Sequence, residues 1–169
     1  MATNEPEAWL RGPLEGVPPL VMPLFFTFAQ VREDLERHTA GLATGDVWRR
    51  IGNIAPLGFH LRHIPASADR LVTYLEERSL SAEQFEDLKN ELSPGADAAT
   101  LLGEMKLRFE YVENRLKNFR FHDLHAPRYI GRKRLPTTVL GLLVHIAEHT
   151  QRHLGQAVTT AKLLRDPAE

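Results

Sequence analysis

The chain has 169 residues, which is the size of one globular domain. Its 43% hydrophobic and 25% charged residues are close to the average for globular proteins and exclude a disordered or fibrous chain. The formal net charge of -1 provides no positive field, so we expect no binding to nucleic acid or to anionic membranes. The absence of cysteine excludes disulfides, cysteine-based zinc sites and a cysteine nucleophile, and it agrees with a reducing cytoplasm.

The sequence shows no signal for secretion or membrane insertion. Its first residues are acidic and include Pro6, without the basic and apolar regions of a signal peptide. The most apolar run, residues 20–29, contains Pro23 and is far shorter than the roughly 20 residues of a spanning helix. We therefore expect a cytoplasmic protein that does not associate with membranes.

Proline and glycine delimit the first elements of the chain. Residues 1–19 are rich in both and predict an irregular lead-in. Apolar residues at helical spacing then predict a first helix over residues 23–41. A second helix is predicted over residues 53–78, with Asn53 as its N-cap and a kink at Pro65, where a backbone hydrogen bond is lost.

Three further helices are predicted in the rest of the chain. A capping-box pattern opens a short helix over residues 81–93. Asp97 then caps a longer helix over residues 97–118, whose apolar residues lie on one face. Residues 119–135 are aromatic and basic and predict an irregular connection, and the last helix is predicted over residues 136–164.

The order of these elements predicts the fold class. Strand signals are almost absent, because no hairpin dipeptide and no sustained alternation of apolar and polar residues occurs. Four long amphipathic helices and one short helix fit an all-α domain, an antiparallel four-helix bundle with a short extra helix. We expect this single domain to span residues 1–169.

Histidine is the unusual feature of the composition, with eight residues. His145, His149 and His153 follow one another at four-residue intervals in the last predicted helix. This spacing places them within about an 80° arc, on the stripe that we expect to face the bundle core. Imidazoles at such positions are costly to desolvate, and binding a ligand lowers that cost.

The second predicted helix carries another pair, His60 and His63, three residues apart. Imidazole is the commonest protein metal ligand, and two histidines from one helix with one from another would make an open site for Zn, Ni or Fe. The alternative is that both clusters are surface or hydrogen-bonded histidines of a bundle. The two interpretations have about equal support from the spacing.

The last helix also matches a protease signature. Residues 145–149 read H-x-x-E-H, the inverzincin motif, with Glu148 at the position of the general base. The match is short, and those proteases are much larger and carry a separate carboxylate ligand. We therefore give this interpretation little weight.

Two longer motifs resemble the DinB/YfiT-like superfamily. They are WRRIGNIAPLGFHLRHI at residues 48–64 and HTQRHLGQ at residues 149–156. The resemblance extends over essentially the whole chain, and the two motifs on the second and last long helices are its most specific part. It implies a four-helix bundle that binds one divalent metal ion through three histidines, commonly as a homodimer.

The resemblance also implies a ligand set. It assigns the three metal ligands to His63, His149 and His153. His60 is expected beside the ligands or facing the substrate, because relatives often carry another residue there. Pro65 departs from the small or polar residue usual at its position, and this leaves His60 as an alternative to His63.

Three other features have open interpretations. Gln156 lies one turn beyond His153 and is expected to bind a ligand or to connect helices, so it is a candidate catalytic residue together with His60. His145 is expected to be a core residue or to lie just outside the ligands. The basic segment Arg128–Arg134 is either a solvated loop or an attractive lip for an acidic substrate.

Superfamily members with known activities suggest the function. They include thiol S-transferases using bacillithiol, mycothiol or glutathione, the mycothiol-dependent maleylpyruvate isomerase, and the metal-binding domain of sulfoxide synthases in ergothioneine biosynthesis. The resemblance implies a metal-dependent transferase that activates a low-molecular-weight thiol for a small-molecule substrate. The alternatives are a metal-dependent hydrolase, with Glu148 or a histidine as base, and a non-enzymatic metal- or ligand-binding stress protein.

Overall fold

The computed structural model describes residues 5–165, so residues 1–4 and 166–169 of the predicted domain lie outside the described part. The described chain forms six α-helices and one two-stranded antiparallel sheet. The helices are α1 (Met22–Thr39), α2 (Thr44–Trp48), α3 (Leu57–Leu75), α4 (Ala82–Asn90), α5 (Ala98–Asn118) and α6 (Val139–Arg165). The strands are β1 (Pro127–Ile130) and β2 (Leu135–Thr138), and a single 3-10 turn covers Ala8–Leu10 within the lead-in.

The four long helices pack around one hydrophobic core. Both α1 and α3 contact α5 and α6, which gives a four-helix bundle. Phe28 of α1 and Phe109 of α5 are fully buried and stack with their ring centroids 4.5 Å apart. The prediction of an all-α bundle with a short extra helix is confirmed.

Helix caps explain where two of the helices begin. Ser81 accepts a hydrogen bond from the backbone nitrogen of Gln84, and the Gln84 side chain accepts one from the Ser81 nitrogen. Asp97 accepts one from the Thr100 nitrogen at 2.8 Å. Both caps were predicted from the sequence and are confirmed. They stabilise the helix starts because these side chains satisfy backbone donors that a helix start leaves free.

The start of α3 differs from the prediction. The helix begins at Leu57 with Pro56 as N-cap, and not at Asn53. The indole of Trp48, at the end of the unpredicted helix α2, lies so close to Gly58 that a Cβ there would be 2.8 Å from the ring. The same indole donates a hydrogen bond to the Ala96 carbonyl at 2.8 Å. Packing of Trp48 against Gly58 therefore fixes this end of α3. The helix then continues through Pro65 to Leu75.

The connection before α6 also differs from the prediction. Residues 127–138 form a hairpin, in which Tyr129 is paired with Pro136, and the last helix begins at Val139 instead of Pro136. Leu135–Thr138 ends in two β-branched residues, which favour an extended backbone. Thr138 then caps α6 by accepting a hydrogen bond from the Gly141 nitrogen at 3.0 Å.

No helix within residues 5–165 combines the length and the hydropathy that are needed to cross a bilayer.

Candidate metal centre

The structure brings together three histidines from α3 and α6. One ring nitrogen from each of His63, His149 and His153 lies within 4.8 Å of the other two. Nε2 of His63 and Nε2 of His149 are only 2.9 Å apart. Two of these side chains lie one turn apart on α6, and the third comes from the packed face of α3, which is the two-helix arrangement expected from the spacing.

His63 is held in orientation by a buried carboxylate. Its Nδ1 lies 2.8 Å from Oε2 of Glu91, which directly follows α4, and the other oxygen of Glu91 accepts a hydrogen bond from Arg70 at 2.7 Å. Glu91 and Arg70 are 5% and 8% exposed, respectively. A metal-binding histidine commonly donates its second ring nitrogen to a carboxylate, which fixes the tautomer and the ring. Nδ1–H of His63 therefore points to Glu91 and leaves a lone pair on Nε2.

The ring of His63 is also fixed by an aromatic neighbour. Phe59, one turn earlier on α3, stacks on it with centroids 4.9 Å apart and planes inclined by 19°. The carboxylate sets the direction of the Nδ1–H bond, and the stacked ring restricts rotation about the side chain. Both constraints act before any ion binds.

His149 and His153 are kept neutral by their surroundings. Burial, reinforced by the neighbouring imidazoles, lowers the pKa of His149 and that of His153 to about 4. At Glu91, burial raises the pKa, but the hydrogen bond from His63 and the charge of Arg70 outweigh it, so this pKa lies below its usual range. At neutral pH His149 and His153 are therefore uncharged, which is the form that binds metals, and they lie close to an ionised glutamate.

This donor set fits a divalent transition metal. Without an ion, the lone pair on Nε2 of His63 must accept a hydrogen bond from Nε2–H of His149. That tautomer leaves Nδ1 of His149 as a buried acceptor with no hydrogen-bond partner among residues 5–165. If His63 and His149 held a cation, their Nε2 atoms would no longer need to share a proton, and Nδ1 of His149 would carry a proton instead. Three imidazoles are a donor set suited to Zn, Ni or Fe.

His60 lies beside the three histidines without belonging to their group. Its Nδ1 is 3.1 Å from Nδ1 of His153, and the residue is 2% exposed. Its Nε2 is buried and has no hydrogen-bond partner among the described residues. Burial and the adjacent imidazoles lower the pKa of His60 to about 4. With Nδ1 of His153 engaged by His60, Nε2 of His153 is the nitrogen available to an ion.

Gln156 is exposed near the end of the cluster. Together with His60 and Arg152 it lines a shallow cavity of about 720 Å³ between α6 and the segment that precedes α3. The two candidate catalytic residues therefore share one solvent-accessible cavity. Their roles remain predictions.

Of the two positions expected for His145, it does not occupy the core position but lies just outside the three histidines, with its ring centre 5.2 Å from that of His149. Its side chain is 47% exposed and lies 3.3 Å from a carboxylate oxygen of Glu148. Each step of four residues rotates the side chain by about 40°, so His145 is turned to the edge of the stripe while His153 faces α3. Glu148 is exposed as well and is bound by Arg152, whose hydrogen bond lowers its pKa.

The basic segment lies away from the histidines. Arg128 is largely buried and donates a hydrogen bond to the carbonyl of Leu75, at the opposite end of α3. From His63 to Leu75 the helix rises by about 18 Å. The expectation that Arg128–Arg134 guides a substrate into the metal site is therefore wrong, because the hairpin fixes this segment at the other end of the bundle.

Sequence reasoning missed the residues that support His63. Glu91 is 28 positions from His63 in the chain, and a glutamate at the end of a short polar helix is an ordinary surface pattern. The role of Arg70 could not be predicted from the sequence either, since only the packing of α4 on α3 buries this residue. The stacking of Phe59 on His63 could have been predicted, because the two residues are four apart on one helix.

A helical bundle that places three imidazoles in one group is a fold and site suited to binding a metal ion. A family model of the DinB superfamily matches residues 27–157, a range that includes all three histidines. The chain belongs to the DinB superfamily, as the two motifs indicated. A comparison with curated protein sequences finds no match.

Proposed function

We propose that this protein binds one divalent metal ion through His63, His149 and His153 and transfers a low-molecular-weight thiol to an electrophilic small molecule. The observation that supports the proposal most strongly is the grouping of three ring nitrogens within 4.8 Å of one another. The neutral state of His149 and His153 and the Glu91 contact of His63 add to it, because both prepare the imidazoles to donate lone pairs.

A divalent ion in such a site supplies Lewis acidity, which lowers the pKa of a thiol or water in its remaining position. Lowering the pKa of the thiol is needed because a free thiol, with a pKa of about 8.5, is mostly protonated at pH 7. The chain itself holds no cysteine that could compete for the ion.

The residues around the group would serve the substrate. His60 lines the shallow cavity beside His153, and its unpartnered Nε2 can accept or donate one proton. Gln156 lines the same cavity with an exposed amide, which can hydrogen-bond a polar group of the substrate. We therefore assign His60 to proton transfer and Gln156 to substrate binding.

The hydrolase alternative assigned the base to Glu148 or to a histidine. Glu148 is exposed and paired with Arg152 and His145, so among these residues His60 is the better placed candidate. By the resemblance to its superfamily we further propose a homodimer in the cytoplasm. Light scattering coupled to size-exclusion chromatography tests the dimer.

Cobalt substitution tests the thiol directly. Adding bacillithiol, mycothiol, glutathione or coenzyme A to the cobalt protein should produce a sulfur-to-cobalt charge-transfer band in the near ultraviolet with at least one of them. If all four leave the spectrum unchanged, thiol activation is wrong, and hydrolysis or metal binding alone becomes the better explanation.

Three variants separate the residue roles. His60→Ala should reduce turnover with the thiol that binds while metal content stays near that of the parent protein. His153→Ala should lose both, and His145→Ala serves as the control that retains most of both. Full activity in His60→Ala would remove that residue from the mechanism.

A further inference from the structure

A second cavity lies at the end of α3 opposite the histidines. Its volume is about 690 Å³, within the range of roughly 300–1,000 Å³ typical of small-molecule sites. The turn between β1 and β2, residues 131–134, forms one wall, and Phe85 and Leu88 of α4 form the facing wall. Tyr74 and Arg128 also line it.

The charge of this cavity is strongly positive for a chain whose net charge is -1. The turn presents three consecutive cations, Arg132, Lys133 and Arg134, and none of them forms an ion pair with another of residues 5–165. The only carboxylate in the lining is that of Glu77, which lies 3.7 Å from Arg128. The three charges of the turn are therefore available to an anion.

Apolar surface lies directly beside these charges. The guanidinium of Arg134 is 4.4 Å from the ring centre of Tyr129, and that of Arg132 is 5.8 Å from the ring centre of Phe85. Phe85, Leu88 and Tyr129 are all exposed, with 38% to 46% of their surface accessible. Arg132 and Arg134 thus lie over aromatic rings, beside apolar surface that water covers at a cost.

The backbone is strained at the same place. Glu77 and Arg134 are the two non-glycine residues between positions 5 and 165 that have a positive φ, of 59° and 47°. Both line this cavity. Strain of this kind persists where the surrounding structure holds it, and it is concentrated at functional sites.

We infer that this cavity binds an amphipathic organic anion, a carboxylate, sulfonate or phosphate joined to an aromatic or acyl body. The acidic group binds Arg132, Lys133 and Arg134, and the apolar body packs between Phe85, Leu88 and Tyr129. The site is separate from the metal centre, because α3 rises by about 18 Å between His63 and Leu75. The concave shape of this half-open cavity favours a small molecule over a membrane surface, which needs a flat or convex patch.

Fluorescence of 1-anilinonaphthalene-8-sulfonate tests the site in the full-length protein. We expect saturable binding that weakens about tenfold in the triple variant R132Q/K133Q/R134Q, since three charged contacts are lost. The control R50Q/K106Q/R120Q removes the same number of exposed cations elsewhere and should bind like the parent. The uncharged analogue N-phenyl-1-naphthylamine should bind all three proteins equally and more weakly than the sulfonate binds the parent.

Amide chemical-shift mapping of the unmodified protein locates the probe without any substitution. Shifts should concentrate in residues 129–135 and 85–88 and spare His149. In a separate measurement, R132Q/K133Q/R134Q should have the same metal content as the parent protein. Equal weakening in both triple variants, or shifts centred elsewhere, would contradict the inference. Tighter binding to phosphatidylserine vesicles than to the sulfonate, lost in R132Q/K133Q/R134Q, would also overturn it in favour of a membrane surface.

Discussion

Helix α3 carries two buried polar clusters that differ in how their groups are satisfied. The ion-pair network joins Asp69 and Thr73, in the second half of the helix, and Glu76, which directly follows it, to Arg108 and Arg115 of α5. The histidine cluster, in the first half, consists of His60, His63, His149 and His153. Both lie between helices and contain buried and half-buried side chains, but they combine different kinds of groups.

In the ion-pair network the groups satisfy one another. The carboxylate of Asp69 accepts hydrogen bonds from Arg108 at 3.1 Å and from Arg115, and Glu76 accepts two from Arg115. Burial lowers the pKa of Arg115, but its hydrogen bonds with Glu76 more than offset this and leave the pKa raised. The network is therefore closed and stays charged, and it leaves nothing for a ligand to supply.

In the histidine cluster, similar groups face one another. His60 and His149 each keep one buried nitrogen without a partner among the described residues, and burial holds the pKa of both near 4. Neutral imidazoles cannot satisfy one another fully, but a cation can satisfy several at once. Burial of polar groups alone thus does not indicate a functional site. Several neighbouring buried groups that lack partners, and that one ligand could satisfy together, do indicate one.

The largest expected effect on stability is a change in the ion-pair network. Asp69→Asn should lower the free energy of unfolding by about 3 kcal/mol, because it leaves the charge of Arg115 buried with fewer partners. Urea denaturation measures this loss, and metal content of the folded protein should not change. Asp87→Asn is the matched control, since Asp87 also pairs with Arg108 but its side chain is 33% exposed. Equal losses in the two variants would contradict the distinction between a closed network and a surface pair.

The support of His63 gives the next largest effect. Glu91→Ala should weaken metal affinity by about 10- to 100-fold, because Nδ1 of His63 loses its acceptor. Glu91→Gln retains an oxygen acceptor and should bind metal more nearly like the parent protein. Both variants leave Arg70 without its carboxylate, so a competition titration with a chromophoric chelator isolates the contribution of the hydrogen bond. Equal affinity in the two variants would show that Glu91 acts through Arg70 or not at all.

Removal of the metal should have a moderate effect on stability. The apolar core of α1, α3, α5 and α6 does not depend on an ion, so the helical circular-dichroism signal at room temperature should persist after chelation. The melting temperature should fall, since a bound ligand stabilises the folded state by mass action. Complete loss of helicity on chelation would mean that the ion is structural, as it is in zinc fingers.

The remaining effect concerns pH in the metal-free protein. His60, His149 and His153 have a folded-state pKa of about 4 against an ordinary value of 6.5. The unfolded chain therefore takes up protons first, so stability is full above about pH 6.5 and declines as the pH falls towards 4. Glu76 adds to the decline at the acidic end of this range, because its folded-state pKa is lowered and the unfolded chain takes up that proton first.

Thermal melting of the chelated protein between pH 7 and pH 4.5 measures this decline. His60→Leu should make the dependence shallower, since it removes the most buried of the three imidazoles. A melting temperature that does not change over this range would contradict the neutral state assigned to the cluster.

The sequence was sufficient for features that depend on local spacing. Capping at Ser81 and Asp97 was predictable because a cap and its partners are three residues apart, and the four-residue interval placed His149 and His153 on one face of α6. Helix α2 and the hairpin were missed. The first is only five residues long, and the second pairs strands of four residues each, too short for a periodic pattern.

The support of the site was missed for a different reason. Glu91 meets His63 only because α4 packs against α3, and no local pattern records that contact. The exposure of His145 likewise depends on which part of α6 is covered by α3. Local spacing therefore predicted the candidate ligands, whereas their orientation and surroundings required the packed structure.

Elemental analysis of the purified protein tests the central claim most directly. The parent protein should contain one divalent ion per chain, His149→Ala and His153→Ala should each lose stoichiometric metal, and His145→Ala should retain most of it. Full metal content in all three variants would contradict the assignment of the histidine cluster as the metal site.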